Sequence, residues 1–221
     1  NNYVAFFDRI KGRRELKSVI EFIASNDSRT KLPLQDGTSI NFAPTKKLKI
    51  TIDSSDKKRL IEKGLVPEEK TDEIVSEISW NVRQNYLYKN DLMLLDLVAS
   101  NNWERPIYFT SPSAVEGVLD VAEYCHLEGI VYRFLPVKSK HYIDGLGGVD
   151  PDEAYDLLVN KAKWGNLEDP DVYIDPESRR NSVMPKQNYF RLAQALIDIN
   201  KSDSAVTVLD TCQKYFPDSK I

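Results

Sequence analysis

Arg133 lies within the apolar run Ile130-Val131-Tyr132-Arg133-Phe134-Leu135, and Asp96 within the run from Leu92 to Ala99. A guanidinium or carboxylate carried into apolar surroundings needs an opposite charge or several backbone partners to offset its desolvation. Two readings stay open. In one, Asp96 and Arg133 each close a buried polar network that pins helix to sheet. In the other they face a ligand pocket with Trp103, Arg105 and Tyr108 at its rim and His141 and Trp164 on the same side. Aromatic faces and forked donors suit sugars and phosphates.

The remaining chemistry is sparse. Gly145-Leu146-Gly147-Gly148 precedes a helix start, where backbone N–H groups attract anions. That start carries Asp150, Asp152 and Glu153, which repel phosphate, so the segment reads as a turn. No G-x-S-x-G elbow occurs, and acidic pairs such as Asp169 and Asp171 read as solvated turn residues. His126 and His141 are the only histidines, and neither C-x-x-C nor H-x-x-x-H spacing is present. No metal or cofactor is expected. Cys125 and Cys212 both lie in apolar surroundings where free, buried cysteine is common, and a single pair does not define a disulfide framework.

Elements to position these residues can be read from spacing. Leu16, Val19, Ile20 and Ile23 give Arg13 to Ser25 one apolar helical face. Leu32-Pro33-Leu34 and Ser39 to Phe42 flank an Asp36-Gly37 hairpin turn, and Leu48 to Ile52 alternates as a strand. Ser55 to Lys63 predicts a short helix stopped at Gly64, and Ile78, Trp80 and Val82 predict a strand. Seven of the eight residues from Leu92 to Ala99 are apolar, which predicts a helix wrapped by protein on most sides and capped by Asn90 or Asp91. Asn101-Asn102 ends it, Pro106 bars its continuation, and Ile107-Tyr108-Phe109 follows as a strand. Val118 to Tyr124 reads as helix and Ile130 to Val137 as a buried strand. The succession implies an α/β or mixed α+β fold built on a small layered sheet with flanking helices.

Residues 149–221 read as a helical region after an α/β domain over residues 1–148. Asp150 as N-cap, Pro151 at the first helical position and Glu153 three residues after the cap form a capping box. Ala154, Leu157, Leu158 and Ala162 mark the buried face of that helix, and Leu167 to Met184 reads as a long loop that wraps the surface or acts as a lid. Tyr189, Leu192, Ala193, Leu196, Ala205, Leu209, Cys212 and Pro217 then fall at the spacing of one tetratricopeptide-like repeat, about 187–217. A lone repeat must bury its face on the α/β region, on the preceding helix or on further repeats. It serves as a polypeptide-docking groove or as a hairpin completing the core.

Thirty basic against thirty-four acidic residues give a net charge of -4, the wrong sign for a nucleic-acid binder. No apolar run approaches the ~20 residues that span a bilayer.

The residues Lys89-Asn90-Asp91-Leu92 and Asn101-Asn102-Trp103-Glu104-Arg105-Pro106-Ile107-Tyr108-Phe109 resemble a family of multipass membrane proteins whose eukaryotic members include a protein O-mannosyltransferase acting on plexin-type receptors. Phe22 to Asp27, Thr30-Lys31-Leu32, Pro44 to Lys47, Leu127-Glu128-Gly129 with Tyr132-Arg133, and Lys163 to Asn166 carry the same resemblance in the same order, over roughly residues 15 to 217. The resemblance implies an extracytoplasmic (periplasmic) tail that follows a membrane-embedded region, which is one expected partner. It also implies a lipid-phosphate sugar donor and a protein acceptor for the whole protein. The catalytic carboxylate would lie in a loop near the membrane, so this chain is expected to hold no catalytic residue. It would stabilise the membrane part or recruit the acceptor polypeptide. The alternative is a protein-interaction module unrelated to sugar transfer.

Overall fold

Strand segments here are two to five residues long, too short for one broad sheet, and they distribute among three small mixed sheets. The computed structural model describes residues 3–7, 10–169 and 171–217. In chain order the first elements are β1 (Tyr3–Phe6), β2 (Arg14–Glu15), α1 (Leu16–Ala24), β3 (Lys31–Pro33), β4 (Ser39–Ala43), β5 (Lys47–Thr51) and α2 (Ser54–Glu62). The predicted hairpin is present, with β3 and β4 antiparallel. α1 buries Leu16, Val19 and Ile23, the face its spacing predicts. Asp53 Oδ1 accepts from Ser55 N–H at 2.7 Å and Asp56 N–H at 2.9 Å, while Asp56 Oδ2 accepts from Asp53 N–H at 3.2 Å, so α2 starts on a reciprocal capping box. Gly64 stops it at φ +62, a conformation that favours glycine.

β6 (Glu77–Asn81), β7 (Tyr86–Tyr88), α3 (Lys89–Ser100) and β8 (Ile107–Phe109) follow. β5 pairs antiparallel with β6 and parallel with β2, and β1 lies between β4 and β7. Trp80, on the buried face of β6, donates its indole N–H to Val118 O at 2.8 Å and ties this region to the next.

α3 corrects the expectation drawn from its apolar count. It buries Leu95 and Val98, but Met93 is 72% exposed and Leu97 53%. Among the described residues the helix packs along one side, chiefly on α1 and β7. Asp91 secures its start as the third helical residue, its Oδ2 accepting from Tyr88 N–H at 2.9 Å, and not as the cap itself.

The second four-stranded sheet is β9 (Cys125–Glu128), β10 (Val131–Phe134) and β11 (Gly148–Val149) together with β8, in the order β11-β9-β10-β8. The predicted helix over Val118–Tyr124 reduces to a turn and a 3₁₀ segment at Ala122–Tyr124. Ile130 is exposed because it stands in the β9–β10 turn rather than in the strand. The glycine-rich segment ends as β11, parallel to β9. There Gly147 has φ +77, and a Cβ would stand 2.8 Å from Cys125 O.

The helical region contains α4 (Pro151–Tyr155), α5 (Pro176–Asn181), α6 (Val183–Asp198) and α7 (Ser202–Tyr215), with a π-helical continuation of α4 over Asp156–Lys161. Asp150 is the N-cap residue of α4 but makes no capping hydrogen bond, because its carboxylate is drawn to Lys70. The predicted Leu167–Met184 loop contains α5, capped by Asp175, and the start of α6; Pro170 lies outside the described residues. α6 and α7 form the predicted hairpin, with Tyr189, Leu192, Ala193, Leu196, Ala205 and Cys212 buried. Leu209 departs from the pattern: it is exposed, and Val208 takes the interior position. Buried residues from Val4 to Phe216 form one continuous core across residue 148. Cys125 and Cys212 are both buried thiols and are not bridged to each other.

Candidate functional site

The second sheet, the segment that follows α2 and the start of the helical region line a mixed cleft of about 520 Å³, whose polar side chains include His126, Glu128, Arg133, Lys70, Asp150 and His141. β10 carries Arg133 to it. Its alternation buries Tyr132 and Phe134 and turns Arg133 to the other face, where the side chain is 18% exposed. Register places His126 opposite Arg133 across the β9–β10 pair, and Tyr108 opposite Arg133 on β8. Glu128 completes the group. Its Oε1 accepts from Arg133 Nη1 at 3.1 Å, and its Oε2 from the Tyr108 hydroxyl at 3.1 Å. Desolvation, then the charge of Glu128, raises the Tyr108 hydroxyl above its ordinary pKa, so it remains a donor at neutral pH.

His126 is buried, with Nε2 2.9 Å from Val137 O. Burial lowers its pKa more than the carbonyl raises it. The neutral ring is therefore the favoured form, its Nε2–H donating to Val137. Lys70 donates to Asp150 Oδ2 at 2.8 Å. Burial pushes the Asp150 carboxyl up, but the hydrogen bond and charge of Lys70 outweigh it and the carboxyl ends below its ordinary value. Lys70 is raised, chiefly by the same bond. At the cleft edge Lys140 donates to Glu73 at 3.3 Å. The carboxylates drawn inward, Glu128 and Asp150, are thus each held by a cation. Asp150, lowered by Lys70, is a strong acceptor but a poor proton donor near neutrality.

His141 and Val149 also line a second, more apolar groove of about 320 Å³, with Tyr142, Ile143, Phe190 and Gln194. His141, at φ +50, brings Nδ1 within 3.2 Å of Asp198 Oδ2 and fastens this loop to α6. Arg191, absent from the sequence-based candidates, secures the groove's floor. Its guanidinium donates to the Tyr132 hydroxyl and to Gly147 O, both at 2.6 Å, and stands over the Tyr132 ring. Buried Asn188 donates to Gly129 O at 3.0 Å and ties α6 to the β9–β10 turn.

The other candidates scatter. Asp96 is exposed on α3, far from any role as a buried anchor; Arg133 finds its carboxylate in Glu128 instead. Trp103 is buried against Phe134, ring centroids 5.4 Å apart, after a left-handed turn at Asn102 and Trp103. Arg105 is exposed, its carbonyl accepting from the Asn101 side chain. Trp164 belongs to the hairpin core, its indole N–H donating to the Tyr189 hydroxyl at 3.1 Å and its ring packing on Phe216. The structure brings Tyr108, Arg133 and His141 to one side and leaves Trp103, Arg105 and Trp164 elsewhere. Glu128 could have been found from the Leu127-Glu128-Gly129 motif, and Arg191 from its place between inward-facing helix positions. Lys70 carries no local signal, since its partner is eighty residues away.

Among the described residues no group of three or more His, Cys, Asp or Glu side chains is arranged to hold a metal ion. No helix among them is long and apolar enough to cross a membrane. No curated protein and no solved structure matches the chain. The profile of the TMEM260-associated domain 2 family matches residues 1–153, from the first strand through the sheet that builds the cleft and into the start of α4. By that match over more than half its length, the chain belongs to the TMEM260-associated domain 2 family.

Proposed function

We propose that this chain is a non-catalytic, extracytoplasmic accessory domain of a polytopic protein O-mannosyltransferase-like enzyme, and that it recruits the acceptor polypeptide. Family membership supports the accessory assignment, since the family is named for its association with TMEM260. The observation that carries the docking role is the apolar groove beside α6. Tyr142, Ile143 and Phe190 are all exposed there, around a floor held rigid by Arg191 and Asn188. An extended polypeptide can lay apolar side chains into such a groove. The Trp103-Arg105-Tyr108 corner is less suited, because Trp103 is inside and the Tyr108 hydroxyl is taken by Glu128. Pairing of Glu128 with Arg133 and of Asp150 with Lys70 supports a binding rather than an acid–base role for the cleft. The membrane-embedded region of the same protein is the domain's other proposed partner.

The test is sugar transfer from a polyprenyl-phosphate donor, measured on the membrane protein that carries this domain. Phe190→Glu should raise KM for the acceptor and leave KM for the donor unchanged. Residues 1–221 alone should neither transfer the sugar nor hydrolyse the donor. Transfer by this chain alone, lost on Asp91→Asn or Asp96→Asn, would overturn the reading.

A second reading, a protein-interaction module unrelated to sugar transfer, draws on α7. Val206 and Leu209 are exposed on its outer side, where a further helical repeat could stack. Hydrophobic spans encoded upstream favour the first reading; a soluble upstream domain favours the second.

A further inference from the structure

We infer that α3 is a self-association surface, on which two copies of this chain pack antiparallel about a two-fold axis. The exposed side of the helix presents Lys89, Met93, Asp96 and Leu97, and Tyr88 stands immediately before it. Beside Met93 runs a shallow, mostly apolar groove of about 450 Å³, reaching Tyr3 on β1 and Ile20 on α1. Tyr3, Tyr86 and Tyr88 are exposed on the outer face of the β1–β7 ribbon, with Tyr3 directly opposite Tyr88 and packed edge-on against Tyr86. Exposed aromatic and methionine side chains gathered around one helix are the composition of an interface centre.

The charges identify the occupant. Lys89 and Asp96 lie seven residues apart, two turns, on the same exposed stripe. In an antiparallel pair with the axis between Leu92 and Met93, Lys89 of each copy stands opposite Asp96 of the other. The same register brings Met93 of each copy beside Met93 of the other, close to the axis. One register thus matches charge with charge and apolar with apolar, which an isologous contact requires. Helix axes pack at about 8–10 Å, within reach of these side chains. Each chain carries a net charge of -4, so two copies repel except through a face whose charges cancel, and on this stripe Lys89 and Asp96 do. A different protein would not require the positive and negative ends of the stripe to be mirror partners.

The test is sedimentation equilibrium of the whole chain over micromolar to millimolar concentration, with circular dichroism to confirm that each variant is folded. The wild-type chain should dimerise reversibly, and Met93→Asp should remain monomeric. Lys89→Asp and Asp96→Lys should each weaken the dimer, by up to about tenfold in Kd, because symmetry breaks two rim pairs at once. The Lys89→Asp/Asp96→Lys double variant should recover most of that loss. A monomer at every concentration would overturn the inference, as would a dimer indifferent to Met93→Asp or single reversals with no recovery in the double variant.

Discussion

α3 and α6 both carry enough apolar residues to suggest an interior helix, yet they are used in opposite ways. α6 sits between α7, α4 and the second sheet, and Tyr189, Leu192, Ala193, Ala195 and Leu196 are all buried. α3 packs on α1 and β7 along one side, while Lys89, Met93, Asp96 and Leu97 are exposed on the other among the described residues. Ala193 and Ala205 let α6 and α7 approach closely, so large side chains at the flanks interlock. α3 buries Leu95 and Val98, packs Leu92, Leu94 and Ala99 half-buried beside them, and leaves Met93 and Leu97 outside. Apolar count gives the helix; which of its faces is covered depends on the elements that pack beside it.

The sharpest test compares equivalent truncations. Leu192→Ala removes a fully buried side chain and should cost about 2–5 kcal/mol in denaturant unfolding. A loss below about 1 kcal/mol would mean that the hairpin is not part of the main core.

Next in size is the polar network. Arg133→Met leaves Glu128, only 12% exposed, with the Tyr108 hydroxyl as its hydrogen-bond partner among the described residues, and should cost about 1–3 kcal/mol. Adding Glu128→Gln should return part of that loss, because the uncompensated charge is gone. Tyr189→Phe is the apolar region's counterpart. It strands Leu158 O, which accepts from the Tyr189 hydroxyl at 2.7 Å, and the Trp164 indole N–H. A loss of about 1–3 kcal/mol is expected there too. Equal sensitivity would show that even the apolar hairpin depends on buried hydrogen bonds.

These contrasts also mark what could be read in the sequence. Gly37, Gly64 and the Ile78-Trp80-Val82 alternation act locally, and their turn, stop and strand are present. Strands of two to four residues, such as β2, β7 and β11, have no period long enough to detect. Arg133's need for a carboxylate was legible from its apolar strand, whereas the identity of that carboxylate depended on the tight β9–β10 turn bringing Glu128 back beside it. Asp150 illustrates the limit. Its spacing to Glu153 satisfies a capping box, but Lys70 offers a full charge and captures the side chain.

A smaller effect comes from pH. His126 is lowered from 6.5 by burial, while the unfolded chain takes up its proton near that ordinary value. Stability from this residue is therefore complete above about pH 6.5 and is lost as pH falls toward the lowered folded value, by at most about 1.4 kcal/mol per pH unit. Asp150 contributes in the same direction at lower pH, its share being lost only as pH falls below about 4 through its lowered value. In His126→Gln the decline beginning near pH 6.5 should vanish and the Asp150 step remain. Chemical unfolding at a series of pH values separates the two.

The smallest change is expected on α3, and there the comparison is most exposed to failure. Leu97→Ala removes the same atoms as Leu192→Ala, but from a side chain 53% exposed, so little apolar surface returns to water and no enclosed cavity forms. At concentrations low enough to keep the chain monomeric, the effect should lie within about 0.5 kcal/mol of zero. At high concentration the same substitution should lower the midpoint further, because a surface buried only between copies stabilises by mass action. An equal and concentration-independent loss for Leu97→Ala and Leu192→Ala would mean that α3 is covered within the chain, and the distinction between the two helices would fall.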